Sequence, residues 1–292
     1  MKKIYVLGSI NIDLCINAPY IPNRGETLMG DDFFIAHGGK GANQAVASAR
    51  SGASVKMCGC VGSDVFGKTV LESLKSEGID CRHVLIIDNI STGTAMIVVC
   101  DGDNRIILNS GANSKISKEQ IDEFLKDADK DDIFLAQLEN PIDMIGYGLE
   151  KAKEKGMTVV LNPAPANKDI TEYLKYVDIL TPNEGECELL GGEELISKEV
   201  GILIVTLGDK GYKIVKKDKV NTFPCIKIKA VDTTAAGDTF CGAMLARFAE
   251  TNNIYESARY GSIAASIACT KKGAQPSIPT SDEILKIFNN KY

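Results

Sequence analysis

The sequence predicts an α/β protein with a mostly parallel central sheet and a second, smaller β-sheet. Three observations carry this. Short β-branched runs alternate with amphipathic stretches of helix length, as βαβ units do. Glycines follow the charged last turns of those stretches, at Gly78 after Glu77 and Gly156 after Lys155, just before the next strand. Two regions instead hold paired β-like runs with Gly, Asp and Asn turns and no helix between them.

The alternation starts with a strand pattern at 2–10 (KKIYVLGSI) and a helix pattern at 41–52. A strand at 53–62 and a helix at 67–78 follow, then a strand at 131–139 and a helix at 141–156. Further strands read at 157–163, 176–183 and 201–208. The hairpin regions are 14–37 and 92–111. Inserted after the first strand and again near residue 92, their sheet would lie at the carboxyl ends of the parallel strands, where α/β ligands bind. It therefore reads as a lid over a substrate, with a decorative hairpin as the alternative. From about Ala230 the pattern turns helical, at 236–250, 253–273 and 282–292.

With 292 residues, 44% of them hydrophobic and 25% charged, the chain can bury a large core in one or two domains. The net charge of −6 comes without a basic cluster, which argues against a nucleic-acid partner. The start lacks the apolar core of a signal peptide, and no segment approaches membrane-spanning length. Nine scattered cysteines without CxxC spacing, and only His37 and His83 to join them, read as reduced cytoplasmic thiols rather than disulfides or zinc ligands.

Gly62–Thr69 (GSDVFGKT) fits the phosphate-cradling pattern GxxxxGK[ST] between a strand and a helix. A true P-loop needs a later strand ending in a magnesium-binding acid, and the candidates are weak: Glu139 ends one strand and an Asn ends another. An ordinary strand-to-helix turn, with Lys68 in the first helical turn, is the preferred reading.

Three segments carry chemistry better. In Val231–Phe240 (VDTTAAGDTF) small residues lead into a helix and leave its first N–H groups open to an anion such as a transferring phosphoryl group. Asp238 would stand beside them as a base for an attacking hydroxyl, or serve merely as a helix cap. In Phe34–Ala45 three glycines flank Lys40, and Lys40 and Asn43 offer a cation and an amide to a polar ligand. At the end of the first strand, period-two alternation puts Asn11 and Asp13 on one face, suited to vicinal hydroxyls.

Together, Gly8–Asp13 (GSINID), Gly38–Ala45 (GGKGANQA), Asn162–Ala166 (NPAPA), Thr181–Glu186 (TPNEGE), Thr206–Gly208 (TLG), Ala235–Asp238 (AAGD) and Lys272–Ser277 (KGAQPS) resemble the ribokinase branch of the PfkB carbohydrate kinases, in order and spacing over essentially the whole chain. The resemblance implies a three-layer α/β/α fold with a β-sheet lid often shared between two subunits. It implies a body of 1–12, 38–92 and 111–292, and a lid of 13–37 and 93–110. Asp238 is then the general base, and Ala235, Ala236 and Gly237 form the backbone anion hole. Sugar contacts fall on Asn11, Asp13, Gly39, Lys40, Asn43 and Glu139. Asn183 and Glu186 match an NxxE element that organises magnesium and phosphate, and Thr206, Gly208 and Gly211 match the nucleotide loop. Asp232, Thr234, Lys271, Gly273 and Ser277 match the positions of an activating potassium ion. His37 and His83 match no role, and GGEELISKEV between Leu190 and Gly201 is shorter than the helix usual there.

The implied reaction is ATP-dependent phosphorylation of a small sugar, with D-ribose leading and 2-deoxyribose, fructose or a nucleoside such as adenosine as alternatives. A non-enzymatic sugar-binding regulator and a P-loop nucleotidase are the competing classes.

Overall fold

The computed structural model describes residues 2–101, 103–217 and 219–290. The chain opens with β1 (Ile4–Leu7), β2 (Asn11–Asn17), β3 (Asp31–Gly38), α1 (Lys40–Arg50), β4 (Val55–Gly62), α2 (Val65–Ser76) and β5 (Asp80–Ile87). It continues through β6 (Gly93–Cys100), β7 (Asp103–Asn109), α3 (Lys118–Leu125), β8 (Ile133–Ala136), α4 (Ile142–Glu154), β9 (Thr158–Leu161) and β10 (Ile179–Leu180). The last part holds α5 (Glu184–Leu189), α6 (Glu193–Glu199), β11 (Ile202–Thr206), β12 (Tyr212–Lys216), β13 (Lys219–Phe223), α7 (Ala236–Thr251), α8 (Ile254–Ala268) and α9 (Ser281–Phe288).

Nine strands form one sheet in the order β13-β12-β11-β10-β9-β8-β1-β4-β5, parallel except where the β12–β13 hairpin joins β11. Its central strands are apolar on both faces, as a covered parallel sheet requires. Ile4 and Val6 point into a core shared with α1, α2, α7 and α8, while Tyr5 and Leu7 point into a second core shared with α3 and α4. Helices on both faces make the three layers expected. Among the described residues no helix is long and apolar enough to cross a membrane.

The hairpin regions form a separate four-stranded sheet, ordered β3-β2-β6-β7. Each hairpin is antiparallel, and β2 joins the two by pairing in parallel with β6. The chain returns to the body through Gly39, whose φ of 88° leaves no room for a side chain: a Cβ would lie 2.8 Å from Asn11 N and Ser9 O. This sheet is thinly covered. Phe33, Phe34 and Ile35 are consecutive yet all exposed (61%, 46% and 53%), so neither face of β3 is sealed.

One segment differs from expectation, and a second is the strand-to-helix turn preferred from the sequence. The Leu190–Gly201 stretch keeps its helix as α6, shortened to 7 residues, with Ile196 buried beneath it. The GSDVFGKT stretch is a turn locked by Asp64. Its Oδ1 accepts from Gly67 N at 2.8 Å and from Thr92 Oγ1 at 2.6 Å, while Oδ2 accepts from Thr92 N at 2.8 Å. A carboxylate occupies the place a phosphate would take, and Lys68 is exposed. The turn fastens the body to the start of β6.

Candidate active site

α7 begins at a sharp turn. Ala235 has φ 57° and ψ 16°, a left-handed conformation uncommon outside glycine, and Ala236 N donates to Thr233 O at 3.1 Å. The following N–H groups, of Gly237 and Asp238, have no acceptor among the described residues, as expected in the first turn of a helix. A Cβ on Gly237 would meet nothing within 4 Å, so the space before these groups is open to an anion.

The same turn buries Asp238 against α1. Its Oδ1 accepts from Gln44 Nε2 at 2.9 Å and its Oδ2 from Asn43 Nδ2 at 3.0 Å. The two helices approach closely because Gly242 has no side chain; a Cβ there would lie 2.4 Å from Gln44 O. At the start of α1, Glu139 Oε2 accepts from Lys40 N at 3.1 Å and from Ser9 Oγ at 2.5 Å, a favourable place for an anion beside a helix N-terminus.

Asn11 and Asp13 both turn inward, as the alternation of β2 predicts. Glycines make their room: a Cβ on Gly38 would lie 2.3 Å from Asp13 Oδ1, and one on Gly93 would lie 2.2 Å from Asn11 Oδ1. Asn113 fixes Asn11 by donating to its Oδ1 at 2.7 Å, and is itself held by Ile10 N at 2.9 Å.

Four carboxylates thus surround the Lys40 ammonium. Burial by itself would lower that ammonium, but Asp238, Glu139, Glu186 and Asp13 outweigh it and raise it. Burial raises the Asp238 carboxyl, with Lys40, Gln44 and Asn43 opposing only in part. Burial, reinforced by Glu139 and Asp238, pushes Asp13 up to about 7. Glu186 is also raised by burial, against the pull of Asn183 N–H and Lys40.

Two cavities meet this cluster. One, of about 340 Å³, is lined by Asn11, Asn113, Leu108, Leu138, Glu139 and Asn140 among others. The other, of about 240 Å³, is lined by Lys40, Asn183, Glu186, Thr206, Ala235, Ala236, Gly237 and Asp238 among others. Asn183 and Glu186 form a reciprocal cap on α5, each accepting the other's backbone N–H at 2.8 Å. Thr206 N donates to Pro182 O at 3.0 Å, which brings the end of β11 to that cap. Gly208 (φ 60°) and Gly211 (φ 104°) lie outside this lining and frame the 3-10 turn after Thr206.

Beside the lead-in to α7, Asp232 Oδ1 accepts from Thr234 N at 2.9 Å and Thr234 Oγ1 at 2.6 Å, and its Oδ2 from Gly273 N at 2.8 Å. Burial acts against the charge, but these bonds prevail and hold Asp232 below the usual carboxylate range. Lys271 and Ser277 turn their side chains elsewhere, to Glu283 Oε1 at 2.8 Å and Ala274 O at 2.7 Å. Arg50, at the end of α1, donates to the carbonyls of Gln275 at 2.7 Å and Ile278 at 2.8 Å and pairs with Glu77 at 2.6 Å.

Sequence reasoning thus named residues that lie together around Asp238, but missed Gln44, Gln137, Asn113 and Asn162 as individual participants. Gln44 and Asn162 sit inside recognised segments, and Gln137 lies two residues before Glu139. The histidines stand apart: His37 is half-buried on β3, and the His83 ring packs edge-on against Phe124 with centroids 5.5 Å apart.

The chain belongs to the pfkB family of carbohydrate kinases, whose model it matches over residues 1–281. Within that family it is 42% identical to the ribokinase of Haemophilus influenzae over 99% of each chain. The Thermotoga maritima ribokinase structure matches with a TM-score of 0.89 at 37% identity, covering 100% of both chains. The Arabidopsis thaliana ribokinase, solved with ribose and ATP, matches with a TM-score of 0.88 at 31% identity over 99% of each chain.

Proposed function

We propose that this protein transfers the γ-phosphoryl group of ATP to the 5-hydroxyl of D-ribose. The observation that carries the reading is the buried Asp238 carboxylate, set beside open helix N–H groups and Lys40 on the wall of the 240 Å³ cavity, with Lys40 N bonded to Glu139 on the wall of the larger one. The 340 Å³ cavity, with Asn11 and Glu139 on its wall, takes the sugar, and Asp13, Gly39, Lys40 and Asn43, outside that wall, complete the proposed set of sugar contacts. The 240 Å³ cavity takes the phosphates, with Asn183, Glu186 and Thr206 around them and Gly208 and Gly211 shaping the nucleotide loop.

Asp238 accepts the hydroxyl proton as the sugar oxygen approaches the γ-phosphorus, and its raised carboxyl makes it a stronger base than an exposed aspartate. The N–H groups at Ala235, Ala236 and Gly237, with Lys40, face the charge that builds on the transferring group. Ala236 N is committed to Thr233 O, so Gly237 N is the freer donor. Magnesium bound to the phosphates, with Asn183 and Glu186 beside it, would neutralise charge on the leaving group. The Asp232 carboxylate, held in its charged form, fits a monovalent cation. Potassium there would be held by Asp232, Thr234, Lys271, Gly273 and Ser277, the last three chiefly through their main chain.

The small sheet (13–37 and 93–110) acts as the lid on the body, and its exposed apolar face, including Phe33, Met96 and Ile107, suits a second copy of the chain in a homodimer. The cytoplasm, where ATP is available and unpaired cysteines stay reduced, is the compartment that suits this activity.

The test is ADP release with MgATP and potassium against D-ribose, 2-deoxyribose, fructose and adenosine, repeated with sodium replacing potassium. We expect ribose to be preferred and potassium to activate. Preference for another acceptor discards the ribose assignment and keeps the kinase. Silence on all four acceptors overturns the proposal and favours a binding protein.

A further inference from the structure

Resting on Asp238 as the base, we infer that Gln44 is a positioning residue that fixes Oδ1 of Asp238, leaving Oδ2 as the oxygen that takes the substrate proton. Gln44 has 0% exposure, so it acts on the reaction only through what it holds.

A chain of buried amides fixes which way Gln44 faces. A backbone carbonyl can only accept, so Asn162 must present Nδ2 to Thr181 O, at 2.7 Å, and therefore Oδ1 to Gln44. Gln44 must then present Nε2, which lies 2.9 Å from Asn162 Oδ1 and 2.9 Å from Asp238 Oδ1. Its own Oε1 is taken by Gln137 Nε2 at 2.8 Å. Rotating the Gln44 amide would break all three contacts and set its oxygen against a carboxylate.

The partner of Oδ2 is held far more loosely. Asn43 Nδ2 donates to Asp238 Oδ2 at 3.0 Å, but Asn43 Oδ1 is buried without a hydrogen-bond partner. An amide tethered at one point can swing off Oδ2, and a sugar hydroxyl other than the reacting one supplies the donor its Oδ1 lacks. Oδ2 is then free to accept. The O–H proton passes to Oδ2, the sugar oxygen forms its bond to the γ-phosphorus, and the electron pair of the broken P–O bond leaves on ADP.

The charged and titratable groups facing Asp238 are Lys40 on α1, Asp13 on β2, Glu139 after β8, Glu186 on α5 and Cys241 on its own helix. None of them is altered by a change at Gln44.

The experiment compares Gln44→Met, Gln137→Met, Asn43→Ala and Asp238→Asn by the pH dependence of kcat, by sugar KM and by thermal unfolding. Removing the Gln44 donor favours the protonated carboxyl, so the acid limb of kcat should move up by about one pH unit. We expect kcat to fall roughly tenfold to hundredfold, with sugar KM little changed. Asn43→Ala should instead raise sugar KM. An unmoved acid limb in folded Gln44→Met, or the same KM pattern in the Gln44 and Asn43 variants, overturns the inference. If Gln44→Met does not fold, Gln137→Met decides, since it frees the Gln44 amide: a smaller shift in the same direction supports the inference and none overturns it. An Asp238→Asn protein that keeps kcat overturns the base assignment itself, and with it this inference.

Discussion

Asp64 grips Thr92 at two points, taking its hydroxyl at 2.6 Å and its backbone N–H at 2.8 Å. One carboxylate thereby caps α2 and anchors the strand that opens the second half of the small sheet. Asp64→Ala removes a helix cap and leaves the N–H and O–H of the buried Thr92 without their acceptor, a cost of about 2–4 kcal/mol. We expect a lower denaturation midpoint and weaker sugar binding; unchanged stability would show that the grip is incidental.

Lys68 follows this grip but points to solvent. A surface change of this kind shifts stability by less than about 0.5 kcal/mol, and no phosphate cradle depends on it. Lys68→Ala should keep kcat and the KM for ATP within about twofold of the parent. Loss of turnover would revive the P-loop.

Asp13 carries a pH signature of opposite sign to the usual aspartate. Its carboxyl rises from 3.8 to about 7 in the folded protein, so the fold retains a proton that the unfolded chain releases. The stabilisation from that proton is complete below about 3.8 and lost as pH rises through about 7. Asp13→Asn should therefore unfold at higher temperature than the parent above neutrality, by an equivalent of about 2–4 kcal/mol. The advantage narrows toward pH 4 and comes with loss of sugar affinity. Melting curves at several pH values check it, and a less stable variant at pH 8 contradicts it.

Gly211 tests the nucleotide side separately. At φ 104°, with a Cβ lying 2.1 Å from Phe223 O, no side chain fits. Gly211→Ala should cost more than about 1 kcal/mol and raise KM for ATP more than KM for the sugar. Steady-state kinetics with each substrate varied in turn measure this.

The layers and the separate sheet were legible because β1 and β8 are unbroken apolar runs, β4 and β9 are nearly so, and the hairpin regions lack any helix pattern. The β12–β13 hairpin was not. Its lysines at 213, 216 and 219 mark a charged outer edge of the sheet, which in sequence looks like loop. β5 escaped for a similar reason, with Arg82 and His83 interrupting its apolar residues. Asp238 and Lys40 were legible from residue type and the small residues and glycines beside them, whereas Glu139 came in as a sugar contact only through the family resemblance. Gln44, Gln137 and Asn113 were not, because a glutamine or asparagine reads as a surface residue until distant segments are seen to bury it. Gln44 and Asp238 are 194 positions apart, and no local pattern encodes their bond.

The helix α1 has its own mechanical consequence. Its first residue is Lys40, its first turns hold Asp238, and its last residue, Arg50, is clamped to the carbonyls of Gln275 and Ile278. Its 11 residues make a stiff strut about 16 Å long. Twisting either end twists the other, so the segment around residues 275–278 and the Lys40 end of the helix move as two ends of one axle.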